Sequence, residues 1–260
     1  MINLDTIREG LTKGEFFLEY MPTISLSDGR CTGAEALIRW RRSTGVVAPD
    51  DFIPLVENTP LSGLLTYWVI DTVAVEMGDW LRANPTANLS INVPPEILGR
   101  GGMEYVAGKC GLLELASQLI LEITERGIPD LLGVEAINNA HKMGLRVALD
   151  DLTLDGGSNF AVLVRCNFHI AKLDKSLVAQ INPQNPSPEW LTGITALRQM
   201  SQMIVIAEGV ETEQQIHALH MANIQEVQGF YFSQPISAVD FIAFHHKFAI
   251  QIDLPLDALP

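Results

Sequence analysis

The sequence predicts a closed (β/α)8 barrel that begins, unusually, with a hairpin-like pair of strands. Three observations predict it. Eight strand-like runs alternate for the most part with helical stretches, the pattern that builds a parallel sheet covered by helices. The connections are short, and no stretch rich in Gly, Ser or Pro divides the 260 residues into separate units. Run after run closes on a carboxylate or an amide, as expected where strand C-terminal ends converge on a barrel mouth. The expectation is therefore one domain over 1–260, with its core at about 16–245, an N-terminal helix within 1–13 and a tail at 250–260.

Taken in order, 15–22 is a first strand and 31–40 a second, joined by the turn Ser27-Asp28-Gly29-Arg30. Alternation in the second strand puts Glu35, Leu37 and Arg39 on one side, with Glu35 either an edge charge or an inward ligand. A short helix opens at Pro49, and an amphipathic one fills 61–83. The third strand, 88–93, is stopped by Pro94 and Pro95 and carries Asn92 at its end, where Asn serves as a turn former or a ligand. Helix 103–116 leads to strand 118–125, with Glu122 and Thr124 on one face and Glu125 at its end.

After a helix at 134–143 comes the run 144–151, a buried strand ending in Asp150-Asp151. Adjacent strand residues point to opposite sides, so both carboxylates serve one site only where the strand turns; the alternative is a capping pair. A helix near 158–165 precedes strand 169–174, in which Lys172 and Asp174 point the same way. Helix 189–200, strand 203–211 with Glu208, helix 212–221, strand 224–231 with Gln228 and helix 238–249 complete the chain.

Composition narrows the function. A net charge of -14 leaves no basic field for a nucleic-acid polymer or an anionic membrane. The most apolar long stretch, 61–81, is interrupted by Asp71, Glu76 and Asp79, so no membrane insertion is expected. Asp5, Arg8 and Glu9 stand where a signal peptide needs an apolar core. Cys31, Cys110 and Cys166 are odd in number and contain no CxxC, which reads as reduced thiols of a cytoplasmic protein.

Chemistry follows from the strand ends. Glu35, Glu122, Asp150, Asp151 and Glu208 bring five negative charges toward the mouth, and Lys172 brings one positive. Two divalent ions would cancel the remaining four charges, and hard oxygen donors point to Mg²⁺ or Mn²⁺, with Ca²⁺ able to compete. Asp150 could bridge two ions at ~3.5–4 Å, the geometry that activates water for attack on phosphorus. His217, His220, His245 and His246 fall at no strand end, and Gly99, Gly101 and Gly102 lack the strand–turn–helix context of a phosphate loop.

These residues resemble the EAL domain of cyclic di-GMP phosphodiesterases. The motifs run in family order from Glu35-Ala36-Leu37 through Phe52-Ile53-Pro54, Asn92, EITE at 122–125, Asp150-Asp151, KLD at 172–174 and AEGVET at 207–212 to QGFYFSQP at 228–235. The resemblance implies a modified, TIM-like (β/α)8 barrel with one antiparallel strand, and hydrolysis of cyclic di-GMP to linear pGpG in second-messenger signalling. It assigns Glu35, Asn92, Glu122 and Asp150 to a first metal, and Asp150, Asp151 and Glu208 to the surroundings of a second. Glu208, Lys172 and Asp151 become catalytic, with Glu208 as a base for the attacking water and Lys172 orienting water and stabilising charge. Arg39, Gln228 and Leu37 become substrate contacts, and Glu125 anchors the loop after the Asp pair. The implied cofactors are two Mg²⁺ or Mn²⁺ ions, with Ca²⁺ inhibitory. The implied partners are cyclic di-GMP, a second copy through the barrel, and an upstream sensor or GGDEF-type domain in a longer protein.

The chain departs from the family pattern in the loop after the Asp pair. The family usually reads FGTGYSS, whereas here the run is Leu152-Thr153-Leu154-Asp155-Gly156-Gly157-Ser158. Met21 replaces a usual Gln, and Pro94 a usual Ser. The altered loop predicts slower turnover and weaker second-metal binding. A non-catalytic cyclic di-GMP receptor is the alternative function.

Overall fold

The structure is a computed structural model that describes residues 2–124, 129–153, 165–201 and 203–250. Its strands are β1 (Phe16–Ser25), β2 (Cys31–Arg42), β3 (Gly45–Val47), β4 (Asn88–Asn92), β5 (Leu119–Thr124), β6 (Arg146–Leu152), β7 (Ile170–Leu173), β8 (Ile204–Ala207) and β9 (Glu226–Val227). They form one sheet in the order β1-β9-β8-β7-β6-β5-β4-β2-β3, and pairing of β1 with β2 closes eight of them into a barrel. β1 runs antiparallel to both of its neighbours, while the strands from β2 through β4 to β9 are parallel. This is the modified barrel the sequence predicts.

Pleat alternation sorts the side chains into two environments. Ile120, Ala148, Ile170 and Ile206 pack together as a cluster separate from the main core. Each sits two residues before Glu122, Asp150, Lys172 or Glu208, on the same face of its strand. The four thus make a dry floor beneath the charged layer. Their neighbours in sequence, among them Leu119, Val147, Ala171 and Val205, join the main core with the helices outside. Full burial of an Ile or Leu is worth about 1.5–3 kcal/mol, so this outer layer holds the wall whatever the mouth contains.

The antiparallel start is fixed by a second core. Trp40 stacks on Phe16 at a centroid distance of 5.3 Å and meets Phe52 edge-on, and its Nε1 donates to Glu15 Oε2 at 2.8 Å. Gly10 of the helix Leu4–Thr12 permits that approach, since a Cβ there would lie 2.6 Å from Trp40 Nε1. With Trp40 held on this side, alternation turns Arg39 toward the opposite face of β2.

Several elements differ from the sequence reading for local reasons. The hairpin strand β3 was not expected; it turns at Gly45, whose φ of 125° suits glycine. The predicted helix 103–116 is two pieces, Gly102–Lys109 and a 3-10 stretch Leu112–Gln118, because Gly111 adopts φ 78° between them. The helix expected at 134–143 starts earlier, at Leu131, where Asp130 accepts from Gly133 N. β9 is two residues long instead of spanning 224–231. Gln228 leaves the ladder so that Val210 N donates to its carbonyl, and Gly229 lies so close to Val210 that a Cβ would sit 2.0 Å from the Val210 carbonyl oxygen. The helix predicted near 158–165 lies outside the described residues except for Arg165. Among the described residues no helix is long and apolar enough to cross a membrane.

Candidate active site

Lys172 is the centre of the mouth. Its Nζ donates to Glu35 Oε2 at 2.9 Å and to Glu122 Oε2 at 2.8 Å. It also stands 3.2 Å from Asp150 Oδ1 and 2.5 Å from Glu208 Oε1. The lysine side chain is 1% exposed, as is that of Glu122, so the ammonium and its ring have little water to share. Asn92, at the end of β4, donates from Nδ2 to Glu35 Oε1 at 2.7 Å and orients that carboxylate.

Four carboxylates around one ammonium cannot all carry full charge in so dry a place. Burial, reinforced by the charges of Glu35, Asp150 and Glu208, pushes Glu122 well above the usual carboxylate range, despite Lys172. Glu208 is pushed up to about 8, chiefly by burial, with Lys172 opposing and Asp150 and Glu35 adding to the rise. Burial works against Glu35 as well, but Lys172 and Asn92 outweigh it and hold that group below its ordinary value. For Lys172 burial opposes the charge, yet the surrounding carboxylates raise its pKa well above the usual lysine range.

The donor set fits divalent metal. Glu122 Oε1, Asp150 Oδ1 and Glu208 Oε1 are buried oxygens that accept no hydrogen bond, the last two lying near Lys172 outside hydrogen-bond geometry. Asp150 Oδ1 and Glu208 Oε1 share the single charge of Lys172, and Glu122 Oε1 has no hydrogen-bond partner among the described residues, so the ring holds more acceptor capacity than one ammonium satisfies. Carboxylate and amide oxygens suit Mg²⁺ or Mn²⁺. Among the described residues no group of three or more His, Cys, Asp or Glu is already gathered at metal-ligand geometry, because the carboxylates are spread around the ammonium.

The Asp pair is explained by a bulge. The β6–β7 register shifts between Leu149 and Leu152, and Asp151 adopts φ 56° inside it. Asp tolerates this left-handed conformation better than most residues. The irregularity frees Asp151 from strict strand alternation. Glu125 and positions 154–158 of the divergent loop lie outside the described residues, while Leu152 and Thr153 are described.

The ligand contacts expected from the sequence are engaged by β1. Arg39 Nε donates to Glu19 Oε2 at 2.8 Å, and its Nη1 donates to the Ile38 carbonyl at 3.1 Å. Gln228 Nε2 donates to Thr23 Oγ1 at 2.8 Å. Leu37 is half-buried opposite Glu19, and Met21 is buried opposite Glu35. Sequence reasoning misses Glu19 and Thr23, although both share the strand parity of Met21, a position where the chain departs from the family pattern. An apolar cavity of about 320 Å³ lies on the outer side of β4, β5 and β6, lined by Ile91, Leu119, Val147 and Met103. It is away from this chemistry.

A model of the EAL domain matches residues 4–235. The chain belongs to the EAL domain family. It is 30% identical over 245 residues to the probable cyclic di-GMP phosphodiesterase PdeB of Escherichia coli, covering 91% of this chain and 46% of that protein. It is 32% identical over 231 residues to the cyclic di-GMP phosphodiesterase PA2567 of Pseudomonas aeruginosa, covering 86% and 39%. The chain therefore spans less than half the length of these two relatives. Among solved structures, the PaMucR phosphodiesterase in complex with c-di-GMP superposes with a TM-score of 0.79 at 27% identity, covering 92% of this chain and 98% of that one. The EAL domain of Mycobacterium smegmatis DcpA gives a TM-score of 0.71 at 28% identity, covering 92% and all of that chain.

Proposed function

We propose that this EAL domain is a metal-dependent phosphodiesterase that opens cyclic di-GMP to linear pGpG. The observation that carries the reading is the carboxylate ring around Lys172, with three buried oxygens that accept no hydrogen bond. Family membership and the names of the relatives support the substrate. Glu35, Asn92, Glu122 and Asp150 would hold one divalent ion, with Asp150, Asp151 and Glu208 around a second. Bound there, Mg²⁺ or Mn²⁺ supplies Lewis-acid polarisation and a water of lowered pKa.

The chain's own groups do the rest. Asn92 fixes the carboxylate plane of Glu35 through its 2.7 Å bond. Glu208 Oε1 accepts the proton of the water whose oxygen attacks phosphorus, a role suited to a carboxylate raised toward neutrality. Lys172 Nζ donates to the attacking water and to the charge that grows on the phosphoryl oxygens. The bond to the 3′-oxygen breaks, that oxygen takes a proton from solvent water, and Glu208 returns the proton it accepted to solvent. Arg39 takes a phosphate, Leu37 and Gln228 flank the ligand, and Glu125 anchors the loop after the Asp pair.

In this reading the domain is one barrel with its core at about 16–245, cytoplasmic, and dimerises through the barrel. It works within a longer protein that carries a sensor or GGDEF-type domain, which accords with the partial coverage of its relatives. Ca²⁺ inhibits. The test is incubation of the purified chain with cyclic di-GMP and Mn²⁺ or Mg²⁺, followed by chromatographic separation. Conversion to pGpG that stops on chelation is expected. Bound but unchanged ligand under every metal condition would make the domain a receptor.

A further inference from the structure

We propose that Glu19 is a positioning residue that holds the Arg39 guanidinium in the orientation that receives a ligand phosphate. This rests on the proposed function, in which Arg39 takes that phosphate. The antiparallel register of β1 and β2 sets Glu19 opposite Leu37 and Met21 opposite Glu35. Directly opposed residues share a face, so Glu19 lies on the face of Glu35, Leu37 and Arg39, diagonal to the arginine. The motifs quoted above begin at Glu35 and do not include this position.

The donor count gives the pair its meaning. A guanidinium has five N–H groups and binds phosphate best through a two-pronged edge. Glu19 takes only Nε, through a single oxygen at 2.8 Å, and the Ile38 carbonyl takes one N–H of Nη1. Among the described residues no other acceptor is bonded to this guanidinium, so both N–H groups of Nη2 and one of Nη1 stay available to a phosphate. Arg39 is 16% exposed and Glu19 31%, which puts the pair at the rim, where a ligand can reach the fork. The next arginine on this face, Arg41, is stacked over the Phe17 ring at 4.4 Å.

Two effects of Glu19 oppose each other. Its carboxylate restrains a long side chain before the ligand arrives, which spares the ligand that ordering cost. Its negative charge also repels the phosphate. Glu19→Gln separates them, because the amide oxygen still accepts from Nε while the charge is gone. Glu19→Ala removes both.

The experiment is calorimetric titration of cyclic di-GMP in EDTA, so that ligand is not consumed, on Glu19→Ala, Glu19→Gln, Arg39→Ala and the double variant Glu19→Ala/Arg39→Ala. Kinetics with Mn²⁺ accompany it, and melting temperatures confirm that each variant folds. Glu19→Ala is expected to weaken binding about fivefold, the upper range for a part-exposed ion pair. KM should rise and kcat should stay within about twofold. Glu19→Gln should bind as well as the parent or better, and adding Glu19→Ala to Arg39→Ala should cause no further loss, with a small gain expected because the repelling charge goes and no arginine is left to orient. Parent-like binding by Glu19→Ala while Arg39→Ala binds weakly overturns the inference alone. A further loss in the double variant also overturns it, since Glu19 would then touch the ligand itself. Parent-like binding by Arg39→Ala removes the phosphate contact of the proposed function, and the inference with it.

Discussion

Replacing Lys172 by Met keeps the length of the side chain and removes the one cation inside the ring. In the parent, Nζ lies 2.9, 2.8, 3.2 and 2.5 Å from oxygens of Glu35, Glu122, Asp150 and Glu208. One such pair near 3 Å carries roughly 5 kcal/mol of Coulomb attraction at an effective dielectric of about 20. Desolvation of the lysine and repulsion among the carboxylates offset most of the sum. Removing one partner of a buried ion pair costs about 3–5 kcal/mol net. For a chain of this size each kcal/mol shifts Tm by about 2–4 °C, so the variant should melt roughly 10 °C lower in EDTA at pH 8. The sign with pH is fixed by the carboxylates. As pH falls Glu122 and Glu208, both raised, take up protons and no longer need the cation, so the gap between variant and parent narrows; as pH rises it widens. Saturating Mn²⁺ should raise the Tm of the variant more than that of the parent, because the ion replaces the missing charge. Thermal unfolding by circular dichroism, with and without Mn²⁺, measures all of this. Equal melting of the two proteins in EDTA at pH 8 would refute the reasoning.

Other perturbations follow from the same geometry. Glu122→Gln should abolish turnover yet leave metal-free stability nearly unchanged, because burial already holds Glu122 well above the usual range; activity and unfolding curves check the two halves. Grafting FGTGYSS over 152–158 should raise turnover with little change in ligand affinity, and should tighten the second metal in a stoichiometric titration. At the start of β7, His169 Nδ1 accepts from Val147 N at 3.2 Å, which requires the neutral ring, and burial with Arg146 and His141 nearby lowers its pKa. Parent stability should therefore be full above about pH 6.5 and decline as pH falls through the lowered value, and His169→Asn should flatten that slope in Tm against pH.

Much of the barrel was legible because its signals are local. Short apolar runs bounded by turns or helical stretches give every barrel strand of the closed sheet, and the polar and charged residues at their ends mark the mouth. The parts that were not legible depend on contacts across the sheet. β9 shrinks to two residues because Gly229 packs against the Val210 backbone, which its own apolar run does not reveal. The break at Gly111 lies within a continuous helical pattern, and one positive φ decides it. The sequence puts Lys172 at the mouth with the carboxylates but does not show that its Nζ meets four of them at once. Their meeting depends on barrel closure and shear, which a linear sequence does not display. Glu19 and Thr23 became visible only through the β1–β2 register and the return of Gln228 beside β1.

Anomalous diffraction from crystals grown with Mn²⁺ bears most directly on the ring as a metal centre. The account predicts manganese bound by Glu35, Asn92, Glu122 and Asp150, with Lys172 Nζ withdrawn from those three carboxylates and keeping only its contact to Glu208. Manganese found only elsewhere, with the lysine still paired to all four carboxylates, would contradict it.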